Sequence, residues 1–136
     1  MAELPAKLRP RAWAHDPAVI LDGMPSPVFS LDDKLRFATA NPAAEQLFSA
    51  SWNTLANRRL EEFVAPHATI VALVRQVQAT GTSFSDYAVE MSLVRGDTVH
   101  VDIHLTPIAE HPGHILAVLH PCSAARRLDQ QILQRR

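Results

Sequence analysis

The chain has 136 residues, is 47% hydrophobic and 20% charged, and carries a formal net charge of −1. That is enough chain for one domain with a real core, and the near-neutral balance points away from nucleic acid or an anionic membrane surface as partner. Ten prolines against four glycines favour short, punctuated elements over a helical bundle, and the single cysteine, Cys122, allows neither an intrachain disulfide nor a thiolate zinc site.

Met1 to His15 contains Pro5, Pro10, Lys7, Arg9 and Arg11 with Trp13, and reads as a flexible leader, residues 1–15, without the apolar core of a signal peptide. No apolar run reaches membrane-spanning length, so the expected location is cytoplasmic, with no membrane contact. Asp16-Pro17 then signals a helix start, an N-cap followed by proline at the first helical position, and Gly23 can close the helix. Ala18-Val19-Ile20-Leu21 makes this helix apolar on most sides, so it must bury against its own domain or against a second copy.

Val28-Phe29-Ser30-Leu31 reads as a first strand, Asp32-Asp33-Lys34 as a turn, and Leu35 to Ala40 as the returning strand. Asn41 caps the helix that follows, Pro42 fits its first position, Ala43 and Ala44 allow close approach to a sheet, and Leu47 and Phe48 anchor it. Ser49 to Asn57 reads as irregular. A second short helix is expected over Arg58 to Val64, with Leu60 and Phe63 inward and Pro66 as its stop. His67 to Thr80 is the strongest helical stretch: Ile70, Leu73, Val74 and Val77 form one stripe, and Gly81 ends it.

Three strands follow. Tyr87, Val89, Met91 and Leu93 alternate with Asp86, Ala88, Glu90 and Ser92. After the Gly96-Asp97 turn, Val99, Val101, Ile103 and Leu105 alternate with His100, Asp102, His104 and Thr106. Pro112-Gly113 turns the chain into a last strand from Ile115 to Leu119. Period 2 on neighbouring strands predicts an antiparallel sheet with one buried face. The fold class is therefore α+β: a five-stranded antiparallel sheet with helices on one face and further helices at both flanks. The tail, residues 122–136, predicts a linker helix that Ser123 caps. In it Ala125, Leu128, Ile132 and Arg135 step by 3, 4 and 3, the spacing of a coiled-coil seam. A helix of this length is marginal alone and is expected to pair or to continue in a longer parent chain.

This element order over residues 16–121 resembles a PAS sensor domain, and Asn41-Pro-Ala-Ala-Glu-Gln-Leu-Phe48 is similar to the start of that family's first core helix. The run Ile20-Leu-Asp-Gly-Met-Pro-Ser-Pro-Val28, together with Tyr87-x-Val-Glu-Met, resembles more narrowly the sensor domain of nitrogen-regulation histidine kinases, the NtrB family. That resemblance implies a homodimer, a kinase module in the parent chain, and the PII signalling protein as a candidate partner. It implies no catalysis by this stretch, which has neither a phosphoacceptor motif nor ATP-binding glycine boxes. The Asp-x-Thr that usually closes a PAS domain is replaced by Pro121-Cys122-Ser123.

Chemistry is sparse. His100-x-Asp102-x-His104 shares one strand face, but its outer members stand about 13 Å apart along the backbone, too far for one metal to be gripped by all three, so a solvated or partner-facing sheet surface is expected, with Asp102 outward. His111 and His114 flank a turn, and Cys122 has no neighbouring base. Haem sensors of the family carry a helix histidine where this chain has Ile70, with His67 one turn too early. Flavin sensors carry a cysteine that Ala56-Asn-Arg-Arg-Leu60 lacks. The expectation is a cofactor-free domain whose interior, including Phe37, Phe63, Ile70, Val74 and Val101, is filled. The interface residues are expected to be Val19, Ile20, Leu128 and Ile132. The rival readings are a small-molecule-binding or catalytic α+β domain using Tyr87 or Asp102, and a ligand-free dimerisation module.

Overall fold

The computed structural model describes residues 14–66 and 68–122. The leader with Trp13, the residue His67, and the tail helix with Leu128 and Ile132 lie outside the described residues. The elements run α1 (Pro17–Gly23), β1 (Val28–Leu31), β2 (Phe37–Ala40), α2 (Pro42–Phe48), α3 (Trp52–Leu55), a single 3-10 turn (Leu60–Glu62), α4 (Thr69–Thr80), β3 (Phe84–Ser92), β4 (Thr98–Pro107) and β5 (Ile115–Pro121). All neighbouring strands pair antiparallel, in the order β2-β1-β5-β4-β3. The two halves of the chain thus meet at the β1–β5 ladder, where Phe29 faces Ala117 and Leu31 faces Ile115.

One face of this sheet is apolar. Phe29, Leu31, Phe37, Val89, Met91, Val101, Ile103, Leu105, Ile115 and Leu119 are buried there against Ala44, Phe48, Leu55 and Leu60. The expected stripe of α4 completes the layer, since Ile70, Leu73, Val74 and Val77 are its buried residues. Burying each such side chain is worth about 1.5–3 kcal/mol, whereas a 12-residue helix gains little from propensity alone. Packing therefore holds α4, and Gly81, in the left-handed region at φ 67°, ends it.

Two turns pin the strands. Asp32 Oδ1 accepts from the amides of Lys34 and Arg36, both at 2.9 Å, and Oδ2 accepts from Arg36 Nε at 2.7 Å. This closes the β1–β2 hairpin and puts Leu35, buried at 1% exposure, at φ 62°. The predicted second strand thus starts at Phe37 rather than Leu35. At the same end of the molecule, Gln78 of α4 donates from Nε2 to Asp33 O (3.2 Å) and Gly113 O (3.0 Å), stitching both hairpin turns to the helix. A Cβ at Gly113 would stand 2.8 Å from Asp33 Cβ.

Asn41 joins the layers. It is fully buried, and its Oδ1 accepts from Ala44 N (3.0 Å), the expected cap of α2, and from Val28 N (2.9 Å) at the start of β1. Its Nδ2 donates to Ser26 O (2.9 Å) and Leu21 O (3.3 Å), reaching the linker before β1 and the helix α1.

Three sequence expectations change. Ser49 to Asn57 is not irregular throughout: Ser51 leads into α3, and Glu45 Oε2 accepts from Trp52 N at 3.0 Å. The helix expected over Arg58 to Val64 is only a 3-10 turn, because Leu60 N donates to Leu35 O and Val64 bridges Leu93, which ties both ends of the segment to strands. Gly23 is the last residue of α1 and the cap role falls to Met24, whose N–H bonds Leu21 O.

Replacing Asn41 by Ala should lower the unfolding free energy by about 2–4 kcal/mol in a denaturant titration, because it leaves the Val28 and Ala44 amides buried without their acceptor. Asn41→Asp, which keeps the acceptor but not the two donated bonds, should fall between. For Asp32, burial pushes the carboxyl up, but the hydrogen bonds from Arg36 and Lys34 and the Arg36 charge outweigh it and hold it below its ordinary value. A depressed carboxyl stabilises the fold above about pH 4 and loses that contribution as pH falls through its native value. Asp32→Asn should therefore be less stable than the wild type at pH 7, and the gap should close on acidification.

Candidate functional site

The flanking helix α1 is seven residues long and none of them is buried. Asp16 Oδ1 caps it through Ala18 N at 2.9 Å, and its only side-chain tether to the rest of the domain among the bonds described is Asn41 Nδ2 on Leu21 O. Helices this short do not persist on propensity. Yet α1 presents Val19 at 64% exposure and Ile20 at 43%, and Met24 at its C-cap is 37% exposed. Of the four interface residues expected from the sequence, Val19 and Ile20 are therefore at the surface. Leu128 and Ile132 lie outside the described residues. Nearby, Pro25, Pro27, Ala43, Leu47 and Pro121 line an open apolar groove of ≈ 270 Å³.

The space between helices and sheet is occupied by a knot of rings. Phe37 lies 5.5 Å from Phe29, 5.3 Å from Phe48 and 5.6 Å from Phe63, in tilted or edge-on arrangements. Ile70, Val74 and Val101 are buried in the same cluster, as expected. The polar residues buried among those described are Ser30, Asn41 and Asp102. Asn41 serves as cap, and the other two stand on the opposite face of the sheet. Among the described residues, the buried side chains of the core-facing surface are apolar apart from Asn41.

The opposite face of the sheet carries the polar residues of β4. His104 Nδ1 is hydrogen-bonded to Ser85 Oγ on β3, and its Nε2 lies 3.2 Å from Thr106 Oγ1. His120 Nδ1 is 2.9 Å from Ser26 Oγ. Ser85, Tyr87, Asp102, His104 and His120 line a shallow cup of ≈ 280 Å³. No group of three or more His, Cys, Asp or Glu positioned for a metal occurs among the described residues. His111 and His114 sit in the turn before β5, with ring centroids 5.2 Å apart.

Two expectations fail on this face. Tyr87 does not point inward with Val89 and Met91; it is 56% exposed. Phe84 pairs with Leu105 and Val89 with Val101, so five steps on β3 match four on β4. The extra residue makes a bulge with Ala88 at φ 53°, a conformation that costs a non-glycine residue about 1–2 kcal/mol. The sequence signal was available: Phe84 and Val89 are both apolar at an odd spacing, which a regular strand cannot put on one face. Asp102 does face outward, but it is not solvated. The bulge and Cys122 cover it to 7% exposure, and its Oδ1 accepts from Ala88 N (3.0 Å) and from Cys122 Sγ (3.2 Å).

A family model for the PAS fold matches residues 15–122. The chain belongs to the PAS family. Within that family it is similar to nitrogen-regulation kinases. It is 30% identical over 117 residues to the sensory histidine kinase/phosphatase NtrB of Rhizobium meliloti, covering 85% of this chain and 31% of that protein. Against NtrB of Salmonella typhimurium it is 33% identical over 119 residues, covering 88% and 33%. The crystal structure of the PAS domain of nitrogen regulation protein NR(II) from Vibrio parahaemolyticus superposes with a TM-score of 0.68 at 30% identity, covering 78% of this chain and 97% of that one. The chain thus spans about a third of the length of the curated relatives it matches.

Ile70, compared in the sequence with the helix histidine of haem sensors, is wholly buried on α4. The segment Ala56 to Leu60, compared with the flavin motif, is tied to β2: Phe37 N bonds Arg58 O at 2.9 Å and Asn57 N bonds Phe37 O at 3.2 Å. Arg58 itself points to solvent and pairs loosely with Glu62 at 3.4 Å.

Because Val19 is 64% and Ile20 43% exposed within the protomer, changing both to Ser should alter the unfolding free energy by no more than about 1 kcal/mol at low protein concentration. A thermal or chemical melt of the dilute chain checks this, and a larger loss would mean that α1 packs on its own domain after all.

Proposed function

We propose that this PAS domain is the sensory or regulatory module of a nitrogen-regulation histidine kinase. In this reading it forms a homodimer through its flanking helices and relays a conformational bias to a kinase module elsewhere in the parent chain. The observation that carries the reading is α1, a short helix whose Val19 and Ile20, with Met24 at its C-cap, are left at the surface while one side-chain hydrogen bond ties it to the core. Apolar side chains in that position gain burial if a second copy covers them. The likeness to NtrB supplies the class of output.

The mechanism is population shift. Two packings of the paired flanking helices differ by a small free energy, and whatever favours one of them changes the helix that begins near Ser123. Residues 1–15 serve as leader, 16–121 as the sensor body, and 122–136 as the linker helix whose Leu128 and Ile132 extend the dimer seam. The packed phenylalanine knot favours a signal that arrives at a surface, with no cofactor in the interior. A protein partner such as PII fits that mode, and the module acts in the cytoplasm without touching membrane or nucleic acid.

Native mass spectrometry tests the proposal. The wild-type chain should appear as a dimer of unmodified mass, and Val19→Asp with Ile20→Asp, or Leu128→Asp with Ile132→Asp, should convert it to monomer. A wild-type monomer carrying a bound small molecule would overturn the interface and move the function to a pocket. A dimer that survives both pairs of substitutions would also overturn it.

A further inference from the structure

The buried carboxyl of Asp102 is used neither by the core nor by α1. Its Oδ1 receives hydrogen bonds from two places distant in sequence, the Ala88 amide at 3.0 Å and the Cys122 thiol at 3.2 Å. Ala88 is the left-handed residue of the β3 bulge, and strained positions of this kind persist only where the surroundings hold them. Cys122 follows the last residue of β5. Its amide donates to His100 O at 2.9 Å, so the chain leaves the sheet anchored to β4 by both main chain and side chain.

We infer that Asp102 is a positioning residue that couples the bulge of β3 to the exit of the chain after β5. One oxygen serves both donors, so a shift of the bulge alters the hold on Cys122, and release of Cys122 loosens the bulge. Tyr87, exposed on that bulge and at the rim of the cup that Asp102 helps to line, is the handle through which contact from outside acts on the exit. Here the sequence has Pro121-Cys122-Ser123 in place of the family's Asp-x-Thr, and the Cys122–Asp102 bond supplies a link between last strand and sheet at that point. The coupling deepens the sensory reading, and rests on it for its use in signalling. Its physical content lies within a single protomer.

The test is residue-resolved amide hydrogen exchange on the full chain, with the α4 amides of Val74 and Val77 as an internal reference. Cys122→Ala should speed exchange at Ala88 about tenfold relative to that reference, the effect of weakening one hydrogen bond locally, and Cys122→Ser should restore it. In the other direction, Ala88→Gly relieves the left-handed strain that opposes the bulge and should slow the alkylation of Cys122 by iodoacetamide by a similar factor. Asp102→Asn, which keeps the acceptor, should leave both readouts within about twofold of wild type, and Asp102→Ala should raise both. The inference is overturned if Cys122→Ala leaves Ala88 unchanged, if serine fails to restore it, or if the reference amides accelerate equally. Sedimentation of the same variants reports the oligomeric state separately, so a failed dimer and a failed coupling cannot be mistaken for each other.

Discussion

The architecture hangs on the side chain of Asn41. A carboxamide has one acceptor and one two-fold donor, and here each is committed to different elements: Oδ1 to the amides of Val28 and Ala44, Nδ2 to the carbonyls of Ser26 and Leu21. The main chain of the same residue pairs with Val28 O and Glu45 N. One residue therefore fixes where β1 begins, where β2 gives way to α2, and how the linker from α1 enters the sheet. Aspartate could not make the donated bonds, and serine could not reach four partners. Complete satisfaction is what allows so polar a group to sit at zero exposure, since an orphaned amide there would cost about 1–3 kcal/mol.

From that node the molecule divides into a rigid part and a part awaiting completion. The helices α2 and α4 are clamped to the sheet by apolar side chains, and four phenylalanines interlock at the centre. In contrast, α1 contributes nothing to this core. Its geometry is set by the Asp16 cap, the fixed φ of Pro17 and the Asn41 hydrogen bond to Leu21 O. A segment oriented by hydrogen bonds but not sealed by burial can keep its direction while its apolar side chains remain available. This is the physical basis for reading it as an interface.

Much of this was legible in the sequence because local and global signals agree. Asp16-Pro17 and Asn41-Pro42 are start signals that need no tertiary information, and the Ile70, Leu73, Val74, Val77 spacing admits a single helix face. The failures came where partners distant in sequence decide. Leu60 and Val64 are drawn to Leu35 and Leu93, so a stretch with helical spacing stays a single tight turn. Asp102 reads as a solvated residue between two histidines, yet the bulge fourteen residues earlier and the cysteine twenty residues later both bond its carboxylate. Tyr87 followed the alternation on paper, but an extra residue in the strand shifted its parity. Val19 and Ile20 were expected at an interface, but an apolar helix looks the same in sequence whether its own domain or another chain will cover it.

The clasp made by Gln78 has a practical corollary for anyone who wishes to attach a reporter to this domain. The β1–β2 and β4–β5 turns share one side-chain amide and touch at Gly113 and Asp33, so neither can be lengthened without disturbing the other and the end of α4. The β3–β4 hairpin is built differently. Leu93 and Val94 behind its tip bond the Phe63–Val64 segment, but at the tip Gly96 has open space around it and Arg95 and Asp97 form an ion pair. A fluorophore or inserted tag belongs at that hairpin, where it can follow the edge strand and its bulge while leaving the clasped end intact as a fixed frame of reference.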